Sequence, residues 1–163
     1  MLRAREILIE GHWSPGDEAG QVVLSFDDRF RRRIRIGVAE IGDVLLDLPR
    51  ARILRDGDAL RLDDGRIVAI RAADEPLMEV RAPSPVLLMR LAWHIGNRHL
   101  PARLDADRIL LRHDHVIAAM LRGLGGTIAE IRAPFDPEGG AYASPTPGGH
   151  GDHHHHHHHH HHG

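Results

Sequence analysis

Trp93-His94-Ile95-Gly96-Asn97-Arg98-His99-Leu100-Pro101 reads as the end of an apolar helix, a glycine stop, and a histidine delivered just beyond it. Gly96-Asn97 suits a left-handed helix cap. Pro101 then forces the chain onward in extended form. Upstream, Ser84-Pro85 marks the start of the same helix, with Ser84 as N-cap and Pro85 at the first helical position. Between these ends the residues are apolar nearly all round: Val86, Leu87, Leu88, Met89, Leu91, Ala92, Trp93 and Ile95. Such a helix must be covered on more than one side. In so small a domain a second copy of the chain supplies that cover, so a homodimer is expected.

The segments around this helix follow a β-α-β-β-α-β order. Leu77-Met78-Glu79-Val80 reads as a strand before it, and Arg103-Leu104 and Ile109-Leu110-Leu111 as strands after it. Asp114 can N-cap a second helix from His115 to about Leu124, ended by Gly125-Gly126, with Val116, Met120 and Leu124 on one face. Thr127 to Ile131 is a last strand, stopped by Pro134. Residues 76–136 therefore carry the ferredoxin-like pattern.

Residues 1–73 read as an all-β unit. Ile7-Leu8-Ile9 is a short strand; Val22, Leu24 and Phe26 alternate with Val23 and Ser25, and Ile34, Ile36 and Val38 with arginines and Gly37. Asp27-Asp28 makes a turn, and Val44 to Leu48 is a strand ended by Pro49. Asp64-Gly65 between Leu60-Arg61-Leu62 and Ile67 to Ile70 reads as a hairpin. Ala72-Ala73-Asp74-Glu75-Pro76 is the expected boundary. From Gly139 to Gly163 the chain is almost entirely Gly, Pro, Ser, Thr and His, a flexible tail with almost nothing to bury. The expected class is α+β: a small all-β N-terminal domain, a ferredoxin-like βαββαβ domain, and a disordered His-rich tail.

Composition narrows the chemistry. The 163 residues include no cysteine, which excludes disulfides, thiolate metal sites and cluster ligation by this chain. Any metal must be held by imidazole and carboxylate, donors that suit nickel, copper and zinc. Net charge is −2, so nothing draws the chain as a whole to nucleic acid. No apolar run approaches the roughly 20 residues of a membrane span, and the N-terminus lacks the apolar core of a signal peptide, so no membrane partner and a cytoplasmic location are expected. Neither HExxH, P-loop, GxSxG nor GxGxxG occurs, and Asp63-Asp64 and Asp105/Asp107 lie in turns, so no enzyme is expected.

The histidines remain. His99 leaves the core just past a helix stop, where it is either a loop histidine bonded to the backbone or, across a two-fold axis, half of an ion site shared with its mate. Two imidazoles leave coordination incomplete, which suits release. His113 and His115 flank Asp114 as solvated surface or as a second, weaker site. His94 is expected to pack or to support a ligand, and His12 to pack in the β unit beside Trp13. The tail histidines, His150, His153, His154, His155, His156, His157, His158, His159, His160, His161 and His162, are either a purification tag or a native tract, and a native tract is expected to bind several ions weakly. Imidazole must be neutral to ligate, so uptake should fail as pH falls. Arg29, Arg31, Arg32, Arg33 and Arg35 read as the solvated face of a strand or, less simply, as a dock for an acidic protein partner.

His94-Ile95-Gly96-Asn97-Arg98-His99-Leu100-Pro101 resembles the HLGNRHxP signature of UreE-type urease accessory proteins, with isoleucine in place of the usual leucine. His113-Asp114-His115-Val116-Ile117 with Met120-Leu121 is similar to that family's second histidine element. Leu54-Arg55-Asp56-Gly57-Asp58 and Asp63-Asp64-Gly65 resemble its N-terminal domain, and Ala72 to Leu77 its inter-domain join. The tail departs from the family habit in being an unbroken histidine run. The resemblance implies a nickel chaperone for urease, with an N-terminal domain like the peptide-binding domain of Hsp40-type chaperones. It implies a dimer through the metal domains in which His99 is the shared ligand and His113 and His115 are auxiliary. It also implies Ni(II) as cargo, with Zn(II) and Cu(II) as competing ions, and as partners the urease apoprotein and accessory proteins including the accessory GTPase. Two other readings stay open at this point: a general nickel or zinc storage protein, and a peptide-binding module in which metal is regulatory.

Overall fold

The computed structural model describes residues 1–139. The first unit comprises strands β1 (Leu2–Leu8) and β2 (Gly20–Leu24), the one-turn helix α1 (Phe26–Arg29), and strands β3 (Phe30–Val38), β4 (Gly42–Ile53), β5 (Ala59–Leu62) and β6 (Ile67–Ala72). The strands form one sheet in the order β2-β6-β5-β1-β4-β3, and the two end strands also touch, so the sheet curls around its own core. Alternation decides which side chains enter: in β2, Val22 and Leu24 are buried while Gln21 and Val23 are exposed. They meet Ile36, Val38, Leu46, Leu60 and Ile70 there. The expected Asp64-Gly65 hairpin joins β5 to β6, with Gly65 at φ 89°.

Two local expectations fail for identifiable reasons. Asp27-Asp28 lies within α1, because the Ser25 hydroxyl accepts from the Asp28 N–H at 3.3 Å and caps a helical turn. The strand containing Val44 to Leu48 does not stop at Pro49. Between the pairs Arg33↔Asp47 and Arg31↔Arg52, β3 offers only Arg32 against Leu48, Pro49, Arg50 and Ala51. On the other side β1 pairs with β4 only at Val44, Leu45 and Leu46. Pro49 therefore sits in a bulge where its missing N–H breaks no ladder.

The second unit comprises β7 (Asp74–Arg81), α2 (Pro85–Asn97), β8 (Arg103–Leu104), β9 (Ile109–Arg112), α3 (His115–Gly123) and β10 (Thr127–Pro134). Its sheet order is β10-β7-β9-β8, and every pairing is antiparallel. That is the ferredoxin-like arrangement expected of a β-α-β-β-α-β chain. Both helices lie on one face of the sheet: Leu91 and Ile95 of α2, and Ile117, Ala118 and Leu121 of α3, share a core with Met78, Val80, Ile109 and Leu111. On α3 the buried face is thus not the one expected, since Val116 and Leu124 are exposed.

The opposite face of that sheet meets the first unit. Leu77 and Leu110 point that way and pack with Phe26 and Phe135. Beside them Arg29 is fully buried, contrary to its reading as part of a solvated cluster. Its guanidinium donates to the carbonyls of Leu24 at 3.2 Å, Leu54 at 3.0 Å, and Phe135, with Asp136 3.5 Å away. Burial pushes the guanidinium below its usual pKa, against the opposing pull of Asp136. A buried cation is tolerated only when its donors are matched, and here they are. Only Ala73 separates β6 from β7, so this contact rather than a spacer sets how the two sheets meet.

Candidate metal centre

The stop at the end of α2 differs from the expectation built on Gly96-Asn97. Both residues are helical, Arg98 is the C-cap, and His99 takes the left-handed conformation with φ 55°. Among the described residues it is the only non-glycine with positive φ. The His99 N–H donates to the Gly96 carbonyl at 3.0 Å, and the Leu100 N–H to the Ile95 carbonyl at 3.4 Å. These are the paired bonds of a Schellman stop, which normally places glycine at this position. Leu100 explains the register: it is apolar and folds back onto the core that holds Ile95, so the reversal falls at His99. A side chain in left-handed backbone costs roughly 1–2 kcal/mol. Strain of this kind gathers where a side chain must be presented. The His99 side chain is exposed.

The outer stripe of α2 is also exposed. Val86 is 58% exposed, Met89 72% and Trp93 64%, at helical spacings of three and four residues. Only Leu91 and Ile95 are fully buried, so the all-round cover expected for this helix is missing within one chain. His94 is half-buried with its ring edge-on to Trp93, centroids 5.1 Å apart.

The second histidine element sits where β9 gives way to α3. Asp114 caps the helix, its carboxylate accepting from the Val116 N–H at 2.9 Å and the Ile117 N–H at 3.1 Å. The Ile117 bond leads in holding this carboxyl below its usual range. His115 opens α3 and is exposed. His113 Nε2 lies 3.0 Å from Glu130 Oε1 on β10. Both line a cavity of about 320 Å³ with Pro76, Leu77, Ile131 and Arg132. Glu130 escaped the sequence reading, because nothing local marks a strand carboxylate as the neighbour of a histidine that follows a non-adjacent strand.

Among the described residues, no three histidine, aspartate or glutamate side chains gather as a metal-holding group. The fold thus brings His99, His113 and His115 into no common cluster with a third such side chain among the described residues. His150 and His153 to His162 lie outside the described residues. His12 is exposed rather than packed; its neighbour Trp13 instead reaches inward, donating from Nε1 to the Gly57 carbonyl at 3.0 Å. Arg31, Arg32, Arg33 and Arg35 are exposed on the edge strand β3, and Arg35 pairs with Asp43.

Two family descriptions match the chain end to end: UreE urease accessory protein, N-terminal domain, over residues 5–73, and UreE urease accessory protein, C-terminal domain, over residues 75–162. The chain belongs to the UreE urease accessory protein family. Relatives named urease accessory protein UreE agree. One from Bradyrhizobium sp. strain BTAi1 is 52% identical over 154 residues, 94% of this chain and 74% of the relative. Another from Paracoccus denitrificans is 52% identical over 138 residues, 85% of this chain and 82% of the relative. A third from Ruegeria pomeroyi is 47% identical over 146 residues, 90% and 95% respectively. The two UreE domain matches meet where the two sheets meet, and the C-terminal match spans both histidine elements. Among the described residues no helix of this UreE family member is long and apolar enough to cross a membrane.

Proposed function

We propose that this family member is a cytoplasmic, homodimeric nickel chaperone, which binds Ni(II) between two copies of His99 and donates it during assembly of the urease active site. The observation that carries the reading is the left-handed backbone at His99, a conformation costly for histidine, held at the end of a helix whose outer stripe is uncovered. Apposing that stripe with its copy would bury Val86, Met89 and Trp93 and bring the two helix ends into one neighbourhood. Each chain then contributes one imidazole, and the remaining coordination positions stay open to water or to a recipient's ligands. Such a site gives up its ion more readily than a closed one.

Imidazole nitrogen suits Ni(II), and it also accepts Zn(II) and Cu(II), so selectivity must come from geometry and supply rather than donor type. The family membership points to urease, its accessory proteins and the accessory GTPase as partners. His113 and His115 serve as auxiliary ligands and the tail histidines as a reservoir.

Nickel titration calorimetry with light scattering tests this on a chain ending at Gly139. That end point keeps the Glu138 N–H bond to the Ala102 carbonyl, 2.8 Å. The expected result is a dimer with one tight ion per two chains, lost in His99→Ala while the dimer persists. A tight site that survives His99→Ala, or a monomer, would overturn the assignment.

A further inference from the structure

We propose that the arginines at the β3–β4 bulge, Arg31, Arg32, Arg33, Arg50 and Arg52, form a docking surface for a short acidic segment of a protein partner. The surface lies on the first unit, apart from the histidines, and does not depend on nickel at His99. The bulge gathers these residues because Leu48, Pro49, Arg50 and Ala51 of β4 face the single residue Arg32 of β3. A bulge of this kind bends its strand and re-aims the side chains it carries. Arg31, Arg32, Arg33 and Arg50 are exposed, and Arg52 is half-buried.

None of these arginines has an ion-pair partner among the described residues. Elsewhere on the same sheet Arg3 pairs with Asp47 at 3.6 Å, Arg35 with Asp43, Arg61 with Glu6 at 3.2 Å and Arg66 with Asp64 at 2.8 Å. Arg31 and Arg52 are moreover direct cross-strand neighbours, and like charges so placed repel. Guarding an open edge against aggregation does not account for the cluster, since Arg50 and Arg52 lie on β4, which is flanked by β1 and β3. An anion from outside the chain offsets the repulsion. Guanidinium forks fit carboxylates bidentately, and arginine clusters are a recurring means of reading acidic segments. Among the described residues Arg31 uses only Nε, donating to the Asp27 carbonyl at 3.2 Å, which leaves its two terminal nitrogens for a carboxylate. The acidic groups around the cluster set the length of what it takes. Asp47 stands opposite Arg33, and Asp27 and Asp28 precede the cluster in α1. A nucleic acid or an anionic membrane would meet those carboxylates as well as the arginines, whereas a short run of carboxylates meets the arginines alone.

Fluorescence anisotropy with a labelled hexaglutamate peptide tests this on the full chain, in chelator at low salt and about pH 8, where the histidines are neutral. The peptide should bind. Arg31→Gln/Arg52→Gln and Arg32→Gln/Arg50→Gln should each weaken it about fivefold, the cost of losing two exposed ion pairs. Arg61→Gln/Arg66→Gln removes the same charge from arginines that are already paired and should leave the affinity within about twofold of the parent. Circular dichroism checks each fold, and with two bulge variants the loss of one to misfolding leaves the other to decide. No binding of hexaglutamate would overturn the proposal, as would an equal loss in all three variants. Tighter binding of a single-stranded DNA of equal charge, or of phosphatidylserine vesicles, would make the face a general polyanion or lipid surface and overturn it too.

Discussion

His99 and Gly125 occupy the same station in two copies of one helix stop. At the end of α3 the Gly125 N–H donates to the Arg122 carbonyl at 3.0 Å and the Gly126 N–H to the Leu121 carbonyl at 2.9 Å, repeating the bonds made by His99 and Leu100. Both residues have positive φ, 55° at His99 and 101° at Gly125. One stop uses the residue that adopts this backbone without penalty, and the other uses a histidine.

The first prediction concerns that contrast. Without metal, His99→Gly should raise unfolding stability by about 1 kcal/mol, because the left-handed penalty disappears. The same substitution should remove the tight nickel site. Gly125→Ala should do the reverse, losing at least about 1 kcal/mol. There the added methyl would also meet Leu87 Cδ2 at 3.1 Å. Urea unfolding in chelator, paired with calorimetry, measures both halves. A His99→Gly protein no more stable than its parent would remove the case for strain.

A second prediction addresses the α2 stripe. Full burial of Val86 or Met89 stabilises by about 1.5–3 kcal/mol each. A carboxylate in the middle of such a contact has no partner. Met89→Asp and Trp93→Asp should each halve the mass found by light scattering while leaving the circular dichroism of the protomer unchanged. A dimer that tolerates both substitutions must be built on another surface.

Arg29 should prove the costliest single arginine. Arg29→Met leaves the carbonyls of Leu24, Leu54 and Phe135 without their donors, and losses of about 3–5 kcal/mol are usual when a buried charged partner is removed. Arg29→Lys should recover little, since an ammonium lacks the planar fork that reaches several carbonyls at once. Trp13 reports on the first sheet and Trp93 on the second unit, so tryptophan fluorescence of single-tryptophan variants should show the two transitions lowered and separated. Coincident, unshifted transitions would contradict the coupling assigned to Arg29.

Acid should weaken the outer end of the second sheet. Glu79 is held below its usual pKa first by the Arg81 hydrogen bond and then by that of Arg108; Asp105 is held down chiefly by Arg108. A carboxyl whose folded pKa lies below its unfolded one contributes stability above the unfolded value, about 4.3 for Glu and 3.9 for Asp, and loses it as pH falls through the folded value. Arg108→Gln should therefore flatten the fall of the thermal midpoint below about pH 4. An acid limb as steep as the parent's would assign the loss to other carboxylates.

Much of this protein was legible from neighbouring residues alone. Ser84-Pro85 and Asp114 start helices through bonds that span two or three residues, Asp64-Gly65 closes a hairpin, and the order of periods two and 3.6 names a ferredoxin-like unit after a β unit. These signals survive because their energetics are local. Tertiary structure decided the rest. Nothing near Arg29 says that it is buried, since its acceptor at Phe135 is 106 residues away. Pro49 stays within β4 because its neighbours across the bulge need no donor, which only the register reveals. Gly96 looks like the better stop than His99, yet the reversal waits until Leu100 can return to the core around Ile95. The residues alone marked His99 as a histidine after a helix, whereas the packing of the residue that follows it put that histidine in left-handed backbone.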